Sequence, residues 1–383
     1  MGDPTPHRPS AISHQGGIML EMRTSERGSL GRCARQWAWR HIEGLEPNRS
    51  ANPLWFGSAV HEGLAAWYLK GFKRGPHPAE TFDKFLTGER SMIVTSEEEE
   101  IEYVDARALG IDMLTRYVEL YGNDDSWNVI ATEMKGKVVL PRPQMKIFGR
   151  VRPEVQRWLR YHFTWDGVYR DEADGRVKLM EHKTAASIIT SHLPLDNQAG
   201  SYHAVANQTL QKQGVLKGNE EIVAITYNFL RKAMADQRPR NADGHYTNKP
   251  VKQHFIDAIG EGLTGKETLA QLQEIADQLE LTVLGDVSKS QPPEYFERHE
   301  VYKTRAEREQ QIRRIQDEAL FSEAYRKGFL PIVKSPSRDC GWCAFSKLCE
   351  MDESGDQDAV EVIKETMYHV SSPYETYQTK SAE

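Results

Sequence analysis

Four cysteines occur among 383 residues, and their placement constrains the fold more than any other feature. Cys340, Cys343 and Cys349 fall within CGWCAFSKLC, whereas Cys33 lies more than 300 positions upstream. All-thiolate metal sites generally take four ligands. If Cys33 supplies the fourth, the two ends of the chain must meet. The plainer reading makes Cys33 a small buried apolar side chain and leaves the C-terminal trio to bind zinc or nothing. A disulfide framework is not expected of so few cysteines in a reducing compartment. That compartment is expected to be cytoplasmic. The N-terminal MGDPTPHRPSAISHQGG is polar and lacks an apolar signal core, and no stretch approaches the roughly 18 apolar residues of a membrane span.

Apolar periodicity divides the chain. Residues 1–22 read as a flexible N-terminus and 23–125 as helical. The helical part holds a run from Ser25 to about Leu45, a second helix opened by Pro53, and two more near 79–91 and 97–122. At Trp127 the character changes. WNVIATEMKGKVVL is rich in β-branched residues and reads as a strand, and YHFTWDGVYRDEADGRVKLMEHKTA reads as a hairpin around Asp174-Gly175. A helix from about Asp196 to Lys212 and the strand EIVAITYNFLR complete a core over 126–231. Residues 232–298 read as an insert with a helical excursion. A C-terminal helix and the cysteine cluster occupy 299–350, and 351–383 read as a flexible acidic tail. The net charge of −7 argues against a protein that simply coats nucleic acid, while leaving room for local basic surfaces.

The hairpin's second arm carries Glu181-His182-Lys183. Positions two apart on a strand share a face, so Glu181 and Lys183 point the same way, and Asp166 lies across the hairpin. Carboxylates on neighbouring strands can hold a divalent cation; a lysine beside them can orient water or neutralise charge on a phosphorane-like transition state. Solvated strand faces show the same residue types. His61, in FGSAVHEGL, is either a satisfied core histidine or a further ligand, imidazole being acceptable to manganese. Gln198 and Tyr202 stand four apart on one helical face, where they can meet phosphate or base edges or serve as ordinary half-buried polar residues.

Taken in order, Phe56-Gly57-Ser58-Ala59-Val60-His61, Asp166, Glu181-His182-Lys183-Thr184 and Gln198-x-x-x-Tyr202 resemble the PD-(D/E)xK nuclease superfamily in its RecB-like form. The terminal CxxC-x5-C with a distant upstream cysteine is similar to its iron–sulfur branch, which includes CRISPR-adaptation nucleases, AddB-type nuclease domains and phage exonucleases. The resemblance spans Cys33 to Cys349. It implies an α/β fold: a restriction-endonuclease-like core with a small mixed central sheet, wrapped by N- and C-terminal helices joined through a four-cysteine metal cluster. It further implies Mg2+ or Mn2+ held by His61, Asp166, Glu181 and the His182 carbonyl, with Lys183 catalytic. Gln198 and Tyr202 would act near the scissile phosphate, and Glu133 matches a less defined acidic position. Cys33, Cys340, Cys343 and Cys349 would hold a [4Fe–4S] cluster, zinc being the alternative that thiolates equally allow. Trp165 and Phe163 depart from the proline and glycine common in the family.

Between Glu133 and Arg160 eight basic residues stand against two acidic ones. Arg142, Lys146, Arg150, Arg152 and Arg157, with Trp158, Tyr161 and Trp165 nearby, make either a single-stranded DNA contact or a solvated loop. GEGLTGKE (260–267) misses a P-loop, because Glu267 stands where a hydroxyl should bind magnesium. The expected protein is a metal-dependent deoxyribonuclease, an exonuclease on DNA ends or single strands, in recombination or repair with a recombination or helicase partner. The alternative is a catalytically weak nuclease-fold module that binds DNA or a recombination partner.

Overall fold

The computed structural model describes residues 19–48, 52–143, 146–147, 150–151 and 158–375. The chain enters on β1 (Leu20–Arg23), followed by α1 (Thr24–Arg32) and α2 (Ala34–His41). The single helix expected from Ser25 to Leu45 is therefore two. Cys33 separates them with an extended backbone at φ −158° and ψ 117°. After β2 (Leu45–Pro47) come α3 (Asn52–Trp67), α4 (Pro78–Ile93) and α5 (Glu97–Tyr121). Ser96 caps α5 by accepting from the Glu99 N–H, and Glu97–Glu100 occupy its first turn, where the helix dipole favours negative charge. Phe56, Leu64, Tyr68, Phe82 and Met113 bury the facing sides of these three helices.

The strands follow: β3 (Trp127–Leu140), the short pair β4 (Lys146–Ile147) and β5 (Arg150–Val151), then β6 (Leu159–Asp171) and β7 (Arg176–Ala185). β6 and β7 form the expected hairpin, with Gly175 at φ 70°, a turn conformation glycine adopts without a Cβ clash. α6 (Asn197–Lys212) crosses back so that β8 (Ile222–Arg231) runs parallel to β7. α7 (Lys252–Ile259) and α8 (Leu269–Gln278) make a small lobe around Phe255, Leu272 and Ala276, and β9 (Phe296–Tyr302) returns antiparallel to β8. Residues 260–267 link α7 to α8 with no strand before them, which is no P-loop setting.

Among the described residues the main sheet has six strands in the order β1-β6-β7-β8-β9, with β3 on the other edge of β6. It is mixed, as expected. β6 changes partner along one edge. Leu159–His162 pair with β1, and Gly167–Asp171 pair with β7. Residues 163–166 face the opening between those two strands, and Asp166 stands at its rim. Phe163 fits because Gly136 lies opposite it on β3; a Cβ there would come within 2.4 Å of the Phe163 ring.

α9 (Arg305–Arg326), α10 (Ser346–Ser354), α11 (Gln357–Met367) and β10 (Tyr368–Val370) close the chain. Two expectations are corrected here. The tail is folded from 351 to 375: β10 pairs with β2, and Val360 and Tyr368 bury against Trp39, Leu45, Phe345 and Leu348. The last three residues of the expected flexible N-terminus, 20–22, belong to strand β1. Residues 1–18 and 376–383 lie outside the described residues. No helix among the described residues is long and apolar enough to cross a membrane.

Candidate active site

The opening in the sheet gathers two carboxylates and an imidazole from three elements. Asp166 comes from β6, Glu181 from the stretch of β7 beyond its ladder with β6, and His61 from α3 above them. His61 Nδ1 stands 3.3 Å from Asp166 Oδ1 and 3.9 Å from Glu133 Oε1. Ligand atoms of these three residues all lie within 4.8 Å of one another. Glu133 is thus a full member of the cluster, a role its strand-like sequence left undefined. Its φ is 45°, a left-handed conformation that costs a non-glycine residue roughly 1–3 kcal/mol. Such strain on a strand marks a site held in place by its surroundings.

The electrostatics match the geometry. Burial opposes a charged imidazole at His61, yet Asp166, Glu133 and Glu181 override it and lift the group to about 10. Burial, then the Asp166 charge, pushes the Glu181 carboxyl up, and Lys183 only partly offsets this. At Asp166 burial acts in the same direction, but His61 and His182 hold the carboxyl below its ordinary value. Glu181 Oε2 is buried with no hydrogen-bond partner among the described residues. A carboxylate oxygen so placed is expensive to bury unless a cation meets it. The donor set, two or three carboxylates and an imidazole, suits Mg2+ or Mn2+.

Around this cluster the other expected residues form a chain. Lys183 Nζ donates to Glu181 Oε1 at 2.6 Å and to Gln198 Oε1 at 2.9 Å, and Gln198 Nε2 donates to the Tyr202 hydroxyl at 3.3 Å. Asp196 caps α6 by accepting from the Gln198 and Ala199 N–H groups, and so fixes the first turn that carries Gln198. The His182 N–H donates to Asp166 Oδ2 at 2.6 Å. Burial lowers the His182 imidazole to about 3, so its ring is neutral.

The family model of the PD-(D/E)XK nuclease superfamily matches residues 25–350. The chain belongs to that superfamily. No curated protein matches it at a significant level. As a PD-(D/E)XK nuclease it carries its acidic cluster on a mixed sheet of restriction-endonuclease-like type, and members of the superfamily usually use Mg2+ or Mn2+.

The nuclease has a second gathering point. All four cysteines line one cavity of about 460 Å³, together with Arg32, Arg35, Trp39 and Lys334. Cys33 stands at the α1–α2 break, and the other three lie in and after the short turn Arg338–Trp342.

The expected DNA-contact segment needs correction. Trp158, Tyr161 and Trp165 are core residues, 6%, 0% and 0% exposed, and cannot stack on bases. Their apolar rings served the core instead. Arg142 pairs with Glu323 on α9 at 2.7 Å and lies over the Trp158 ring, so its charge is met inside the protein. Lys146 and Arg150 stand on the paired strands β4 and β5. Arg152 and Arg157 lie outside the described residues.

Proposed function

We propose that this nuclease is a Mg2+- or Mn2+-dependent deoxyribonuclease, an exonuclease acting on DNA ends or single strands in recombination or repair. The carrying observation is the convergence of His61, Glu133 and Asp166, with Glu181 interacting with Asp166 and His61 and hydrogen-bonded to Lys183, one of its buried oxygens left without a partner among the described residues. Asp166, Glu181, His61 and the His182 carbonyl would hold the ion, with Glu133 as a further acidic group. A bound ion would supply Lewis-acid polarisation of the scissile phosphate and a more acidic attacking water. Lys183 orients that water and offsets the charge that develops on the phosphate oxygens. Gln198 accepts from Lys183 and so keeps its ammonium on the substrate side. Tyr202, buried in the main core, accepts from Gln198 and so supports it from beneath. Water oxygen adds to phosphorus, the P–O3′ bond breaks, and the proton released by the water ends on the departing 3′-oxygen through solvent, leaving a 5′-phosphate and a 3′-hydroxyl.

A [4Fe–4S] cluster on Cys33, Cys340, Cys343 and Cys349 belongs to the same reading. Their shared cavity supports it. Zinc is the alternative that the same four thiolates allow. Phosphodiester hydrolysis needs no electron transfer, so the cluster serves as a clasp between the chain ends.

The test is digestion of end-labelled single- and double-stranded DNA with Mn2+, using wild type and Lys183→Ala side by side. Products shortening from the ends with wild type alone are expected. Cleavage by Lys183→Ala at the wild-type rate removes the site assignment. Binding without cleavage by the wild type would favour a DNA-binding module.

A further inference from the structure

Beneath the acidic cluster lies a buried row of polar side chains that have no part in the chemistry above. His182, Asn228 and Arg298 are direct cross-strand neighbours on β7, β8 and β9. Their side chains therefore project to one face of the sheet, toward α3 and α5. Asn228 is 0% exposed and His182 3%. The Arg298 guanidinium is stacked on Tyr121, 3.6 Å from the ring centre, and on Trp127, at 4.1 Å.

Hydrogen-bond inventory fixes every orientation in the row. Arginine only donates and carboxylate only accepts. Arg298 grips both oxygens of Asp124, at 2.5 and 2.8 Å. The Tyr68 hydroxyl donates to Asp124 Oδ2 at 2.7 Å, so it accepts from the Tyr117 hydroxyl at 2.6 Å. Tyr117 has then spent its proton and accepts from Arg298 Nη2 and from Asn228 Nδ2, each at 2.9 Å. Arg298 Nε faces Asn228 Oδ1 at 3.4 Å, which turns the amide nitrogen toward His182. Asn228 Nδ2 donates to His182 Nδ1 at 2.9 Å. The His182 ring is thus clamped between this donor and the stacked ring of Tyr68. Its own main-chain N–H holds Asp166 Oδ2 at 2.6 Å.

We propose that Asn228 and Arg298 are positioning residues for the metal centre. They act through the His182 ring, locking the main chain at 182, which orients Asp166 and presents the neighbouring carbonyl. The inference rests on the metal-centre reading above. Without the amide donor, the ring and the peptide attached to it gain freedom, and a divalent ion meets a looser carboxylate. Supporting residues of this kind typically change metal affinity 10- to 100-fold.

The experiment is Mn2+ binding to the full-length protein without DNA, read from the loss of the free-ion electron paramagnetic resonance signal. Wild type, His61→Ala, Asn228→Leu and Arg298→Lys are compared, with circular dichroism and melting temperature recorded for each. Asn228→Leu keeps the volume and removes the donor; its Kd should rise about 10- to 100-fold. Arg298→Lys, which reaches His182 only indirectly, through Asn228 and the Tyr68 hydroxyl, should raise Kd by a smaller factor. If Asn228→Leu does not fold, His182→Phe carries the test, because it keeps a ring against Tyr68 and removes the acceptor. A folded Asn228→Leu or His182→Phe protein with wild-type Kd overturns the proposal. Wild type that binds no Mn2+, or binds it as well after His61→Ala, sinks the metal-centre reading itself, and this inference falls with it.

Discussion

The acidic cluster and the cysteine cavity both gather residues from distant parts of the chain, but they are assembled by different means. At the acidic cluster the β3–β6 ladder on either side of Glu133 and Asp166, and the β7–β8 ladder that includes Glu181, set where these three residues stand. The strands carry this arrangement, and its negative field lifts His61 to about 10. At the cysteine cavity the thiols sit at a helix break and around a short turn, outside any sheet. Burial pushes the Cys343 and Cys349 thiols up, away from the thiolate form a metal needs. A bound metal reverses that preference and releases the protons. One site is a consequence of the fold. The other, under the reading proposed above, helps to hold the fold closed.

The largest expected effect falls on the second region. Cys33→Ala reopens a loop of more than 300 residues, for which the chain-closure relation gives about 5–6 kcal/mol. Thermal melting should drop by about 10 °C or more, with iron and visible absorbance lost. Wild-type melting in the iron-free variant would erase the contrast between the two regions. Glu181→Ala should show the opposite pattern. Cleavage of end-labelled DNA falls about 10³-fold while melting and iron content stay near wild type; a collapse in stability would mean that the carboxylate supports the fold after all.

A subtler separation comes from pH. Because His61 is lifted to about 10, its proton favours the metal-free folded state fully below about 6.5, and that contribution fades as pH rises through about 10. Melts in chelator should therefore weaken across this window, and His61→Ala should flatten the dependence. Mn2+ affinity should climb over the same range as the competing proton leaves, which titration calorimetry in buffers of different ionisation enthalpy will detect. The smallest effect concerns the folded tail. Tyr374 donates to Glu26, a fully buried carboxylate that also accepts from Trp37 Nε1 at 2.9 Å. Tyr374→Phe should cost about 1–2 kcal/mol and lower melting by a few degrees, leaving cleavage unchanged.

Legibility in the sequence followed locality. The β6–β7 hairpin announced itself through alternation and its Asp-Gly turn, and α3 to α6 through apolar spacing and caps. LEMR and FERHEVY carry too few apolar residues to read as strands; pairing with β6 and β8 gives them that state. The break at Cys33 has neither glycine nor proline beside it to signal an end. Trp158, Tyr161 and Trp165 misled because an aromatic ring suits a core and a stacking surface equally well. Nor does the sequence mark Asn228 or Arg298, whose importance lies in a register between strands about 46 and 70 residues apart in contact.

By itself the sequence determined which chemical groups were available and in what order: one imidazole, several acids, an amine, an amide with a phenol, and four thiols. That suffices because ligand preference and acid–base character belong to the side chains. Only the tertiary structure decided which acid joins the cluster, that Glu133 bends its backbone to do so, and that a buried row of polar side chains underlies His182. Distances between strands depend on pairing and packing summed over the whole core, and no local stretch of residues encodes them.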